Sequence, residues 1–302
     1  MSKSVLYIFN PEHDLCLSNG DRHYVPPASA LAFAKAGCEV MRILYGLRAQ
    51  VTTADDYALW RAEHRDVDIQ QIVPWGWDPR LRQRLLDQGA DSSLLPAEAD
   101  LTTIRDLQHR ATVLPLQPHA VACVSLGEVQ QALTQWDDVV LKSPWSGAGR
   151  GLRWVSGCLT DADKGWVNRV LLSHQSVIVE RRFRVAHDFA LEMMVEHGAT
   201  HLVGYSLFLT QSGVYRHNLL LADDAIKQRV GMTDAMEQRL ADWVSVTVAP
   251  RYEGPLGIDL FTTPEGHCVV SEMNLRHTMG MVAHSYLQRH PEQEGQLWMP
   301  PR

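Results

Sequence analysis

Residues 139–152, VVLKSPWSGAGRGL, constrain the fold more than any other part of the chain. An apolar run that reads as a buried strand ends on Lys142, glycines follow in alternation at 147, 149 and 151, and a second strand begins at Leu152. A glycine loop that joins two strands is a hairpin flap. Walker and Rossmann loops lead from a strand into a helix, and no GK[ST] follows these glycines, so neither pattern fits. Without Cβ atoms, alternating glycines let successive backbone N–H groups converge on an anion, while Lys142 adds a point charge suited to phosphates. Ser146 and Arg150 supply further donors. Alone, the stretch has a second, weaker reading as a mobile glycine hairpin with a surface lysine.

The chain around it is that of an ordinary globular protein. Its 302 residues suffice for about two domains with a substantial core. A formal charge of -7 argues against a duplex nucleic-acid binder, which needs clustered Lys and Arg. Cys16, Cys38, Cys123, Cys158 and Cys268 are scattered with no CxxC pair, so neither a zinc site nor a disulfide framework is expected. The start MSKSVLYIFNPEHD is too short in apolar residues for a signal peptide, and no later run approaches a membrane span. The expected location is the cytoplasm, with reduced thiols.

Residues 5–9 read as a buried strand ended by Asn10-Pro11, and residues 28–37 as a helix. Residues 40–44, 72–73 and 80–88 continue an alternation of short strands with helices, predicting an N-terminal open α/β sheet. It lacks G-x-G-x-x-G, which excludes a dinucleotide at its switch point. Residues 101–110 read as a helix, and Pro115 and Pro118 mark a boundary near 115. Helices are predicted at 127–136, 166–172 and 233–248, and strands at 139–141, 152–155, 177–179, 189–195, 202–209, 257–261 and 268–274. No repeat is present.

In LGIDLFTTPEGHCVVSEMNLR, residues 256–276, two strands flank a four-residue turn at 263–266 that would pair Thr262 with His267. That register places Asp259 on the same face as its diagonal neighbour Glu272, with Asn274 beside them. Two carboxylates and an amide oxygen suit Mg²⁺, which takes one or two carboxylates and leaves its other positions to water and phosphates. Arg276, two residues on, is placed to stabilise charge on a phosphoryl or acyl-phosphate group. A solvent-facing hairpin shows the same alternation.

Taken in order, three features resemble the ATP-grasp superfamily over roughly residues 105–285: Lys142 with its glycine loop; the strand 177–180 followed by Arg181-Arg182-Phe183; and the set Asp259, Glu272, Asn274, Arg276. The resemblance implies that Lys142 and the flap residues Ser146, Gly147, Ala148, Gly149, Arg150 and Gly151 cover the phosphates of ATP. It puts an adenine pocket after Glu180, against backbone groups of Arg181 and Phe183, and Arg110 at a phosphate-contacting position. It makes Asp259, Glu272 and Asn274 the ligands of Mg²⁺ or Mn²⁺, and Arg276 and Lys142 the catalytic cations. The implied fold is α/β, with an α+β C-terminal part: a Rossmann-like preATP-grasp domain at 1–114, a small lobe at 115–183 and a large, metal-bearing lobe at 184–302. Family members form an acyl phosphate from a carboxylate and ATP, then let an amine or thiol displace phosphate, by positioning and charge neutralisation. The expected partners are a small carboxylate and a nucleophile, with no nucleic acid and no membrane, and a homodimer left open. A kinase using the same residues, and a nucleotide-binding module without turnover, also remain open.

Weaker candidates surround these. The segment Asn10-Pro11-Glu12-His13-Asp14 sits where open sheets present substrate groups, with His13 as a proton carrier, or it is a turn of capping side chains. Tyr24 and Pro26-Pro27 line the same cleft or form a rigid turn. Asp188, Glu192, Tyr205, Arg216 and Asn218 lie on or near the sheet floor, where one or two are expected to meet ligand. PWGWD, residues 74–78, reads as packing.

Overall fold

The computed structural model describes residues 4–146, 151–211 and 213–299. β1 (Ser4–Ile8) buries Leu6 and Ile8 completely. After α1 (His13–Asn19), α2 (Ala28–Ala36) and α3 (Glu39–Tyr45) the chain returns as β2 (Gln50–Thr52), and after α4 (Tyr57–Glu63) as β3 (Ile69–Pro74). The three strands form a parallel sheet in the order β2-β1-β3, with helices supplying the crossovers that parallel pairing requires. α5 (Pro79–Asp87) and α6 (Glu98–Leu107) complete this unit. Residues 40–44, expected to continue the strand–helix alternation as a strand, lie inside α3, where Val40 and Met41 are fully buried in a cluster with Phe9. A short apolar run has no periodicity of its own, so packing decides between helix and strand.

A 3-10 helix, Arg110–Leu116, carries Pro115 and leads into the second unit. Its elements are β4 (Ala120–Cys123), α7 (Leu126–Gln135), β5 (Asp138–Lys142), β6 (Leu152–Ser156), α8 (Asp161–His174) and β7 (Val177–Arg181). The strands form an antiparallel sheet in the order β4-β7-β5-β6. Period-2 alternation turns Val139, Leu141, Val177 and Val179 onto α7 and α8, and turns Val140, Lys142 and Glu180 towards a cleft. Ser125 caps α7 through Glu128 N, and Thr160 with Asp163 forms a capping box on α8.

The third unit holds β8 (His187–Glu196), β9 (Ala199–Gln211), β10 (Val214–Leu219), α9 (Asp223–Val230), α10 (Asp234–Thr247), β11 (Gly254–Thr262), β12 (Cys268–Asn274), α11 (Met279–Arg289) and β13 (Leu297–Trp298). Its sheet runs β12-β11-β8-β9-β10-β13. One face, with Phe189, Leu191, Tyr205, Leu207, Ile258 and Leu260, packs on Ile226 of α9 and on Leu240 and Val244 of α10. The other, with Asp188, Glu192, Ser206, Phe208 and Asp259, floors the cleft. Among the described residues no helix is long and apolar enough to cross a membrane.

Candidate active site

The cleft between the two antiparallel sheets and the N-terminal unit has a volume of about 940 Å³. Its acidic floor comes from the β11–β12 hairpin, whose register differs from the sequence expectation in two places. Thr262 pairs with Cys268, and the turn closes through Thr263 N donating to His267 O at 2.9 Å. This one-residue slip alone would turn Glu272 away from Asp259. A β-bulge between the Leu260↔Val270 and Asp259↔Glu272 pairs takes up Ser271 as the extra residue, so Glu272 stands directly opposite Asp259 rather than diagonally. The two departures compensate, and Asp259, Glu272 and Asn274 share the cleft face as expected.

Burial, the Glu272 carboxylate and Glu192 behind it hold Asp259 well above the usual carboxylate range, with Arg276 and Asn274 working the other way. Two carboxylates facing each other across a hairpin suit a site that takes a cation. Asn274 Nδ2 donates to Asp259 Oδ2 at 3.1 Å, and its Oδ1 accepts from Arg276 Nη2 at 3.2 Å, which leaves that oxygen a second lone pair. Among the described residues no three His, Cys, Asp or Glu side chains are grouped to hold a metal ion, and Asp259, Glu272 and Asn274 offer two carboxylates and an amide, donor types that fit Mg²⁺.

Arg276 is held from the N-terminal unit. Its Nε donates to Asp14 Oδ1 at 2.8 Å and its Nη2 to Asp14 Oδ2 at 2.9 Å, while Nη1 donates to the His277 carbonyl. Burial works against both charges, and the pairing more than offsets it, raising Arg276 and lowering Asp14. The neighbouring His277 is clamped as well. Its main-chain N–H donates to Trp75 O at 2.8 Å, and its ring contacts Tyr45 Oη at 2.5 Å.

Lys142 and Glu180, expected in separate roles, meet across β5 and β7 with Nζ 2.7 Å from Oε2, and Lys142 Nζ also donates to Ser271 Oγ at 3.3 Å. The flap closes at its root through Ser143 N donating to Gly151 O. Gly151 has φ +71°, and a Cβ there would lie 3.0 Å from those of Ser143 and Ser146, so glycine suits the position on both counts. Gly147, Ala148, Gly149 and Arg150 lie outside the described residues. Arg110 ties the flap root to the acidic floor: Nη1 donates to Ser143 O at 2.6 Å and Ser146 Oγ at 2.7 Å, and Nη2 donates to Glu272.

Phe183 lies 5.8 Å from Phe261, ring to ring, and the Arg181 guanidinium lies over the Phe183 ring, 5.3 Å from its centroid. The Arg181 N–H is committed to His119 O. Of the floor candidates, Asp188, Glu192 and Arg216 line the cleft. Tyr205 has the opposite strand parity to the cleft-lining Ser206 and faces into the helical layer, while Asn218, paired with the cleft-lining Phe208 next to an irregularity in β10, is buried against Leu207 O and Tyr215. Tyr24 and Pro26-Pro27 do not line the cleft. His13 is fully buried 3.6 Å from Asp78, and Pro11 and Asp14 are the members of that segment that reach the cleft. Trp75, read as packing, both packs and lines the cleft.

The reading of the residues passed over Ser271, Thr278 and the start of α11. Thr278 caps α11 through Met281 N and donates to the fully buried Glu192 at 2.7 Å, while Ser206 donates to the other Glu192 oxygen. A threonine before apolar residues at helical spacing, 281, 282, 286, was the available signal.

Comparison at the level of sequence finds no match, either to a family model or to a curated protein. Solved structures do match. D-alanyl-alanine synthetase A from Vibrio cholerae aligns over 98% of this chain and 95% of its own, with a TM-score of 0.56 and 14% identity. N5-carboxyaminoimidazole synthetase from Staphylococcus aureus, complexed with ADP, aligns over 94% and 76%, with a TM-score of 0.54 and 10% identity. The biotin carboxylase domain of Hydrogenobacter thermophilus 2-oxoglutarate carboxylase, in complex with MgADP, ADP and bicarbonate, aligns over 94% and 69%, with a TM-score of 0.52 and 12% identity. Identities this low speak for architecture, and over almost its full length this chain has the ATP-grasp fold.

Proposed function

We propose that the chain is an ATP-dependent ligase, activating a small carboxylate as an acyl phosphate for attack by an amine or similar nucleophile. One observation carries the reading. Lys142, at the end of β5, and the set Asp259, Glu272, Asn274, Arg276 line one cleft, in a fold shared with a synthetase solved with ADP. The fold likeness supports the general kind of reaction, and the charges of the cleft support a carboxylate substrate. In this reading residues 1–114 contribute the substrate side, and residues 115–183 and 184–302 are the two lobes that enclose the nucleotide.

Asp259, Glu272 and Asn274 Oδ1 would hold Mg²⁺, and Arg181 and Phe183 would border the base. Held by these side chains, a divalent ion would supply charge neutralisation for the transferring phosphates. Lys142 exchanges part of its contact with Glu180 for a phosphate oxygen, and the flap excludes water above it. Arg276 orients the substrate carboxylate, whose oxygen attacks the γ-phosphorus as the bond to ADP breaks. The nucleophile then attacks the acyl carbon, phosphate leaves, and the former amine loses its proton.

The test is calorimetric titration of a non-hydrolysable ATP analogue, with and without Mg²⁺, into wild type and Glu272→Gln, which keeps the shape that Arg110 contacts. Mg²⁺-dependent binding that loses its Mg²⁺ dependence in the variant is expected. An absence of binding under every condition would falsify the reading.

A further inference from the structure

We propose that the carboxylate activated in this cleft belongs to a zwitterionic amino acid with an apolar side chain, seated between Asp14 and Arg276. This rests on the ligase reading above and adds the substrate class. Asp14 and Arg276 form a two-bond ion pair whose side chains are still 19% and 16% exposed, and both line the cleft. The guanidinium also touches Asn274 Oδ1, so a group held by Arg276 lies beside the proposed cation and γ-phosphate.

The pair sets a charge requirement. A simple carboxylate that takes the fork of Arg276 displaces Asp14 and leaves a second carboxylate without its partner, in a place where burial already disfavours its charge. A zwitterion repairs both losses: its carboxylate takes the guanidinium, and its ammonium takes Asp14. Each partner then keeps a charge-assisted bond, and no net charge enters the cleft.

The surrounding wall specifies the rest of the molecule. Trp75 belongs to one packed cluster with Phe9, against which Phe33 and Met279 pack, and all three border the same cleft. The Trp75-Gly76 backbone presses on Arg276, since a Cβ on Gly76 would lie 2.8 Å from that of Arg276. The apolar wall therefore adjoins the charged pair, which is the arrangement needed to seat an apolar side chain next to its own α-carbon.

The experiment is calorimetry on the full chain saturated with Mg²⁺ and the non-hydrolysable ATP analogue. The probes are both enantiomers of leucine, methionine and phenylalanine, the desamino acids 4-methylpentanoate and 3-phenylpropanoate, and the amines 3-methylbutylamine and 2-phenylethylamine. At least one amino acid is expected to bind about tenfold or more tighter than its desamino and decarboxy analogues, the worth of one charge-assisted hydrogen bond. Asp14→Asn is expected to bring the amino acid and its desamino analogue within about twofold of each other. If the nucleotide analogue binds and no amino acid does, or the desamino acids bind equally well to wild type, the substrate class is wrong while the ligase reading stands. If the nucleotide analogue does not bind, both fall.

Discussion

Replacing Lys142 by methionine isolates the ion pair at the root of the flap. Lys142 Nζ lies 2.7 Å from Glu180 Oε2, and the two side chains are only 8% and 5% exposed. At an effective dielectric of about 20, direct attraction at that separation is about 6 kcal/mol, most of it offset by the cost of taking two ions out of water. The single substitution removes the attraction and keeps the desolvation of Glu180, a loss of about 3–5 kcal/mol. Destabilisation of about 3–5 kcal/mol at neutral pH is therefore expected. Urea unfolding read through Trp136 and Trp166, both packed on this lobe's core, measures it. Lys142→Met/Glu180→Gln should recover to within about 1 kcal/mol of wild type, since a neutral pair carries no orphaned charge. Nucleotide-analogue binding should remain weak in both variants. A loss below about 1 kcal/mol, or no recovery in the double variant, refutes the ion-pair argument, and unchanged analogue binding removes Lys142 from the phosphate role.

Two further outcomes follow from buried groups near the cleft. Burial holds the His277 imidazole down at about 4, with the Trp75 and Pro74 carbonyls working against it. The neutral ring therefore contributes stability that is fully present above pH 6.5 and is lost as pH falls towards 4, on the order of 3 kcal/mol. His277→Gln should flatten that limb in urea midpoints taken between pH 4 and 7, and an unchanged slope rejects the assignment. Gly280 in the first turn of α11 has no room for a Cβ, which would overlap Glu192 Oε1 and Ser206 Oγ. Gly280→Ala should cost about 1–3 kcal/mol or more in thermal unfolding, and a neutral substitution would show that α11 does not press on Glu192.

The acidic hairpin shows how far pattern reading reaches. Alternation placed Asp259, Glu272 and Asn274 on one face, and they share it, yet the register behind that conclusion was off by a residue at the turn and by another at Ser271. Face parity survives an even total error, whereas a bulge leaves no mark in an apolar/polar pattern. Parity separates Tyr205, which points into the helical layer, from Ser206, which lines the cleft. Asn218 has cleft-face parity through its pairing with Phe208, and its burial beneath the cleft-lining Tyr215 left no mark in the sequence pattern. Residues 40–44 lacked the length that separates helix from strand.

What the sequence determined by itself is local: a glycine loop joining two strands, the alternation that gives each strand a buried and a cleft face, and the order in which the units occur. These depend on residues within a few positions of one another, where backbone periodicity dictates which side chains share a face. Only the tertiary structure decided the partners of the cleft's charges. Arg276 is held by Asp14, 262 residues away, and Arg110 reaches Glu272 across 162. Such pairs form because the units pack around one cleft, the first and third sharing core clusters such as Phe9 with Val282 and Leu101 with Leu260, and a charge buried there must take whatever opposite charge the packing brings within reach.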